Sequence, residues 1–312
     1  MSVVHRHEIY GLFVESPVRL PGVPSMPAFP RPADLRLTWE PESAWNPVAW
    51  RVTRPAHGAS IPDIGVTDDG WTGMVWQGGM YCLICPQQAR VRIICSRANL
   101  DSLPTLFVGL VLGYILCLRG RICLHAAVLA HGGQASALLA SGGVGKSTLA
   151  TAMIARGAQL WSDDVAVLAG APDAPAVERG SLGLRVTAET AAKLLGPEVE
   201  FVRMPHLDKY VWDLSAMVDA ETDGAAALPL RALYVLTPEP DWRGAPELGP
   251  PLPSLDALLQ LTAAWYPPGY LSLLGANLFD ALKSLALQRP VRRVRYGRNW
   301  EQLPDLAAAL LA

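Results

Sequence analysis

Residues 140–148 read Ala-Ser-Gly-Gly-Val-Gly-Lys-Ser-Thr, a glycine-rich turn closing on Gly145-Lys146-Ser147-Thr148. The apolar run Ala137-Leu138-Leu139-Ala140 ahead of it predicts a strand, and Leu149–Ile154 behind it predicts a helix. A strand, a tight turn and a helix start in that order make a phosphate cradle. Small residues let the backbone N–H groups of Ser141, Gly142, Gly143, Val144 and Gly145 crowd around phosphate oxygens, and the helix N-terminus adds partial positive charge. Lys146 can reach the β- and γ-phosphates, and the hydroxyls of Ser147 and Thr148 begin the helix, with Ser147 suited to Mg²⁺. Lysine is scarce in this chain, at positions 146, 193, 209 and 283 only, so one of four stands where a compact ammonium is wanted. A glycine-rich hairpin turn is the competing reading, and the agreement of strand and helix context disfavours it. Binding of a nucleoside triphosphate is expected.

Composition narrows the rest. The chain has 312 residues, 51% of them hydrophobic and 17% charged, which suits one large domain or two smaller ones with a sizeable core. A net charge of −2 gives no electrostatic footprint for nucleic acid or an anionic membrane. The six histidines are too scattered to suggest a metal cluster by spacing. Cys82-Leu-Ile-Cys85 has the form CxxC, but in an extended stretch its cysteines face opposite sides of a strand. Reduced thiols, no basic-then-apolar leader and hence a cytoplasmic location are expected. The longest apolar run, Leu106–Leu118, falls short of the roughly 20 residues that cross a bilayer. It predicts a buried helix capped by Asn99–Ser102 and ended by Gly120.

Residues 8–20 read as strand, and the prolines between Pro21 and Pro32 exclude a central strand or helix interior there. Short extended runs at 34–38, 48–52, 73–77, 80–85 and 90–95, with Gly78-Gly79 as a turn, predict a small, mostly antiparallel β layer. Beyond residue 100, strands are expected at 121–130, 135–140, 158–161, 165–168, 232–236 and 291–296. Helices are expected at 147–156, 188–195, 254–265, 277–288 and 304–312. The division expected is 1–100, a β-rich region and candidate substrate-binding part, and 101–312, an ATP-binding catalytic domain.

Asp163 and Asp164 follow Lys146 by the length of one helix and one returning strand. They are therefore expected at the end of the strand beside the phosphate loop. Adjacent aspartates are common turn residues, but beside a phosphate loop one can hold Mg²⁺ and the other can orient or deprotonate an attacking hydroxyl. His125, with Ala126 and Ala127 after it, reads on its own as a satisfied core or edge histidine. Arg185 and Lys209 read on their own as solvated surface cations.

Leu124-His125-Ala126-Ala127-Val128-Leu129, the loop 140–148, Arg156-Gly157-Ala158 and Ser162-Asp163-Asp164-Val165 together resemble the catalytic domain of bacterial HPr kinase/phosphorylase. The C-terminal half is similar to shorter HPr-kinase-like serine kinases associated with lasso-peptide and other modified-peptide pathways. The looser segments there are 181–187, His206-Leu-Asp-Lys-Tyr210, 229–236 and 291–296. The resemblance implies an α/β (α+β) fold of the HPr kinase/phosphoenolpyruvate carboxykinase type: a P-loop kinase core with a mixed sheet flanked by helices. It implies ATP on Ser141–Thr148, Mg²⁺ near Ser147 and Asp164, and Asp163 as general base toward a serine hydroxyl. His125 is implied near the γ-phosphate, with Arg185 and Lys209 as charge stabilisers. Ala140 replaces the first glycine of the family loop, and the family's glycine-rich signature is blurred to residues 178–183. The N-terminal third does not look like the full-length kinase's regulatory domain, so a peptide or small-protein acceptor is expected rather than HPr. A second copy of the chain is compatible with the sequence, and no nucleic acid or membrane partner is expected. Two other readings stand beside this one: a kinase of a small hydroxylated metabolite, and a non-catalytic nucleotide-binding regulator. The aromatics Tyr210, Trp212, Trp265 and Tyr266 are candidates for an acceptor groove.

Overall fold

The computed structural model describes residues 4–44, 50–54, 62–76, 79–85, 89–171, 173–196, 198–204, 208–217, 224–267 and 275–312. Residues 48–49, 77–78 and 206–207, used above for two strands, a turn and a motif, lie outside them. The first eight strands are β1 (His5–Ile9), β2 (Leu12–Ser16), β3 (Leu35–Pro41), β4 (Trp50–Arg54), β5 (Asp63–Thr67), β6 (Thr72–Trp76), β7 (Met80–Cys85) and β8 (Arg90–Cys95). They form one sheet in the order β1-β2-β3-β8-β7-β6-β5-β4. β2–β3 and β3–β8 pair in parallel and the remaining neighbours antiparallel. The expected single strand over 8–20 is instead the β1–β2 hairpin. Tyr10 and Gly11, at φ of 52° and 67°, make a two-residue turn of left-handed backbone whose twist matches the right-handed twist of the flanking strands.

The apolar run is part of a longer helical stretch than its composition alone marks. It comprises 3-10 turns at Arg97–Ser102, α1 (Leu103–Leu106), a π turn at Phe107–Val111 and α2 (Leu112–Leu118). Residues 99–102 are thus helical themselves, and Ser102 makes no side-chain cap. By length and composition Arg97–Leu118 could cross a membrane, but 67% of its apolar window is buried inside the protein. It is a core helix, continuous in packing with the first sheet and with the strands that follow.

Those strands carry the site. β9 (Ile122–His131), β10 (Gln134–Leu139), β11 (Gln159–Ser162), β12 (Val165–Ala171), β13 (Ala174–Glu178), β17 (Ala227–Pro238), β18 (Glu247–Pro251) and β19 (Val291–Tyr296) make a mixed sheet ordered β10-β9-β12-β13-β17-β19-β18. β11 lies on β9, and β17 returns to pair β10 in parallel. The aspartate-bearing strand is therefore not beside the phosphate-loop strand: β9 runs antiparallel between β10 and β11. A third sheet has the order β14-β16-β15, from β14 (Gly183–Val186), β15 (Phe201–Arg203) and β16 (Tyr210–Asp213). The helices are α3 (Lys146–Ile154), α4 (Ala188–Leu194), α5 (Ser254–Ala263), α6 (Ala276–Gln288) and α7 (Leu303–Leu311). α7 packs on α3 through Leu303, Leu306 and Leu149. All five cysteines are buried free thiols.

Candidate active site

The loop after β10 turns into α3 through two residues that need a left-handed backbone, Gly143 at φ 77° and Gly145 at φ 104°. A side chain at either would strain the turn. Gly145 caps α3 without a side-chain bond, so the first-turn N–H groups are free to receive an anion. The loop is held from outside by Tyr296, whose Oη donates to the Val144 carbonyl at 3.1 Å, and by Arg298, whose Nη2 donates to the Gly143 carbonyl at 3.4 Å. Thr148 is tied through its hydroxyl to that of Thr190, 2.9 Å away.

A chain of charge runs from the loop to the aspartates. Lys146 Nζ lies 2.7 Å from His125 Nε2, on β9. A lysine ammonium only donates, so Nε2 accepts and Nδ1 carries the proton, which it donates to the Asp164 carbonyl at 3.1 Å. The Asp164 carboxylate takes Arg185 Nη1 at 2.9 Å and the Tyr266 hydroxyl at 3.1 Å on Oδ2, and Oδ1 lies 3.3 Å from His125 Nδ1. Arg185, on β14, is also anchored through Nη2 to the Thr105 carbonyl at 3.2 Å, and its backbone N–H donates to Asp163 Oδ2 at 3.0 Å. Tyr266 is brought there by the chain leaving α5. The His125 N–H donates to Ala264 O at 2.6 Å and the Tyr266 N–H to Cys123 O at 3.0 Å, adding residues 264–266 to the edge of β9.

Burial and pairing split the two aspartates. Burial pushes the Asp163 carboxyl up, and Arg185 only partly offsets it. Burial acts on Asp164 in the same sense, but Arg185, His125 and Lys146 hold it well below the usual carboxylate range. Lys146, 9% exposed, is pushed down to about 8, chiefly by burial. His125 is lowered by burial and then by the Lys146 charge. Burial alone would lower Arg185; the two aspartates raise it instead, so it is a fixed cation.

A cavity of about 470 Å³ opens over these groups. It is lined by every residue that the sequence implied for the triphosphate, the metal or the transfer step: His125, Ser141–Thr148, Asp163, Asp164, Arg185 and Lys209. Several placements differ from the readings above. Arg185 is buried in a pair rather than solvated. Trp265 and Tyr266 are core residues, 3% exposed each, and neither they nor Tyr210 and Trp212 line the cavity. Asp164, implied as a magnesium ligand, has Oδ2 taken by Arg185 and Tyr266, and the guanidinium 2.9 Å away opposes a dication there. By contrast, among the described residues nothing bonds the Ser147 hydroxyl, and Asp163 uses one oxygen only. The side-chain donors left to fit Mg²⁺ are therefore the Ser147 hydroxyl and the second Asp163 oxygen, and no group of three His, Cys, Asp or Glu able to hold a metal occurs among the described residues.

Several supporting residues have weak sequence signals. Gly109 lies in the π turn, where a Cβ would come within 2.8 Å of both Arg185 Nη2 and Asp164 Oδ2. A glycine inside an otherwise unbroken apolar run was the available sign of close approach. Gly113, one turn on, gives the same room to the Tyr266 ring. Tyr10 reaches under the aspartate turn from the first hairpin, donating its hydroxyl to Val165 O at 3.0 Å and lying 3.2 Å from Ser162 Oγ.

With this geometry in hand, comparison with known proteins adds little. Neither a protein-family model nor a curated protein matches the sequence. A solved structure of the Hpr(Ser) kinase/phosphatase from Coxiella burnetii is similar at 12% identity, over 60% of this chain and 93% of its own, with a TM-score of 0.32.

Proposed function

We propose that this chain is a phosphotransferase that moves the γ-phosphoryl group of Mg-ATP to an alcohol. The carrying observation is that one cavity is lined both by a glycine-rich anion cradle with Lys146 and by a buried carboxylate, Asp163, whose Oδ1 has no partner among the described residues. Triphosphate oxygens meet the loop N–H groups and Lys146, with His125 and Arg185 behind them. When bound, Mg²⁺ beside Ser147 supplies charge neutralisation on the phosphoryl oxygens. The acceptor hydroxyl oxygen bonds the γ-phosphorus as the bond to the β,γ-bridging oxygen breaks, ADP leaves, and the hydroxyl proton passes to Asp163. Because the transition state is loose, positioning and charge carry most of the rate, and the proton moves late. The raised affinity of Asp163 for a proton suits that role, and the paired Asp164 keeps Arg185 and His125 in place.

The acceptor class follows from the family resemblance: a serine of a peptide or small protein, such as a ribosomally made lasso-peptide precursor, in the cytoplasm. The test is incubation of the chain with Mg-ATP and serine-bearing precursor peptides, read by intact mass for one added phosphoryl group. Asp163→Asn should bind ATP as the parent does and transfer about a hundredfold or more slowly. Undiminished transfer by that variant removes the base assignment. Transfer to small alcohols but to no peptide moves the acceptor to a metabolite.

A further inference from the structure

Tyr10 is out of place by local rules. It is a bulky residue in the left-handed region, φ 52°, at a turn position that favours Asn, Asp or Gly, and it is 1% exposed. Such a residue persists only where its surroundings fix it. Here they fix it beneath the aspartate turn. Its N–H donates to the Arg179 carbonyl at 3.0 Å, and its hydroxyl donates to the Val165 carbonyl at 3.0 Å. Ser162 Oγ, 2.6 Å from the same carbonyl, is a second donor there. Residues 162 and 165 flank Asp163-Asp164, so the two hydroxyls hold the turn from both of its ends. We propose that Tyr10 is a positioning residue for the phosphoryl transfer, fixing through Ser162, Val165 and residues 179–181 the turn that aims Asp163 into the cavity. This rests on the phosphotransferase reading and deepens it.

Asp163 is held by the same segment that Tyr10 anchors. Its N–H donates to Ser181 O at 2.9 Å, its Oδ2 accepts the Arg185 N–H at 3.0 Å, and the Gly180 N–H donates to Trp161 O at 3.0 Å. A displaced tyrosine therefore reaches Asp163 from two sides, through 162–165 and through 179–181. The packing leaves no slack between them: a Cβ at Gly180 would collide with Ser162 Oγ and with the Tyr10 ring. The chain between β2 and β3 ties the segment down again, where the Leu182 N–H donates to the Gly22 carbonyl at 2.6 Å. Burial pushes the pKa of the Tyr10 hydroxyl up, so it remains a donor across the working pH range. None of these bonds involves residues 141–148, which are held by Tyr296, Arg298 and Thr190 instead. Tyr10 is thus wired to the base and not to the phosphate cradle.

Transfer kinetics of the full chain test this in the parent, Tyr10→Phe, Asp163→Asn and the double variant. Phenylalanine keeps the ring and the backbone strain, and Ser162 still serves the Val165 carbonyl, so the fold should hold. In Tyr10→Phe, kcat should fall about tenfold with the KM for Mg-ATP unchanged, less than the roughly hundredfold that a 1 Å misplacement costs. In the Asp163→Asn background the same change should leave the residual rate unaltered, because its route runs through the missing carboxylate. An equal fold-loss in both backgrounds overturns the inference, as does a parental kcat in Tyr10→Phe or a loss confined to KM. Carboxyl ¹³C titration gives a reading that needs no transfer. The Asp163 resonance, identified as the one missing from Asp163→Asn, should titrate lower in Tyr10→Phe than in the parent, because a loosened turn admits water to a carboxyl that burial now pushes up. If the parent phosphorylates no acceptor, the phosphotransferase reading falls by itself, and an unchanged Asp163 titration separately overturns the role of Tyr10. If Tyr10→Phe does not fold, Ser162→Ala removes the other donor to Val165 and should give the same pattern.

Discussion

Replacing either neighbouring aspartate by asparagine should move stability in different directions. Asp164 and Arg185 are 14% and 19% exposed and 2.9 Å apart, a largely buried pair. Removing one partner of such a pair typically costs 3–5 kcal/mol, because the other charge stays buried. The amide oxygen of Asn can still accept from Arg185 or Tyr266, and Asp163 still faces the guanidinium, so Asp164→Asn should cost about 3 kcal/mol, the low end of that range. Asparagine tolerates the left-handed backbone at this position, φ 71°, so strain does not confuse the result. Asp163 is the reverse case: the fold disfavours its ionised form, and Asn keeps the acceptor for the Arg185 N–H. Asp163→Asn should therefore be neutral or stabilising at pH 7. Urea unfolding at pH 7 and pH 5 reads both. The folded-state pKa of Asp164 is depressed, so its contribution is complete above the ordinary carboxylate value near 3.9 and is lost only as pH falls through the lower folded value. Its deficit should hold at pH 5. The pKa of Asp163 is raised, so the parent loses stability from this group as pH climbs from the ordinary to the raised value, and the advantage of Asn grows over that interval. Equal losses in the two variants, or Asp164→Asn within about 1 kcal/mol of the parent, would refute the division of roles.

Gly109→Ala would gain about 1 kcal/mol in an exposed helix, yet here its Cβ meets Arg185 Nη2 and Asp164 Oδ2 at 2.8 Å, both pinned by their own bonds. Overpacking at about 1–3 kcal/mol should win, lowering the melting temperature and slowing transfer; a stabilised, fully active variant would contradict the close approach. Lys146, held near pKa 8 by burial, must be charged to grip phosphate, so binding takes up a proton above pH 8. Tripolyphosphate affinity should then fall toward tenfold per pH unit between 8 and 10, with a flat profile in Lys146→Arg; a flat parental profile to pH 9.5 would sink the assignment.

The form of the glycine-rich loop was legible because it is local: glycines at 143 and 145 and a lysine at 146 sit where a strand becomes a helix. The aspartate doublet was legible as a doublet, but not the separate states of its members. Those are set by Arg185, which arrives from a four-residue strand, β14, too short for a periodic signal. The same limit hid β13, β15, β16 and β18, the last an edge strand that tolerates Pro250 and Pro251. Inserting β9 between the loop strand and the aspartate strand is a matter of long-range pairing, which spacing along the chain cannot carry. It is also what puts His125 between Lys146 and Asp164.

The aspartate turn is held from parts of the chain far apart in sequence. Tyr10 braces Ser162 and Val165 from the first sheet, Gly109 yields room from the core helix, and Tyr266 closes from the segment after α5. Such over-determination is what a non-glycine residue at φ 71° requires, since a left-handed aspartate persists only where its surroundings fix it. Asp164 returns part of that cost through Arg185. Asp163 does not: it is 5% exposed, its charge is disfavoured by burial, and one of its oxygens has no partner among the described residues. As a structural element such a group is a net expense, and an asparagine would serve the Arg185 N–H as well. A half-unpartnered carboxylate beside an anion cradle has a physical rationale if something that enters the cavity meets it, which in the proposed transfer is the proton of the acceptor hydroxyl.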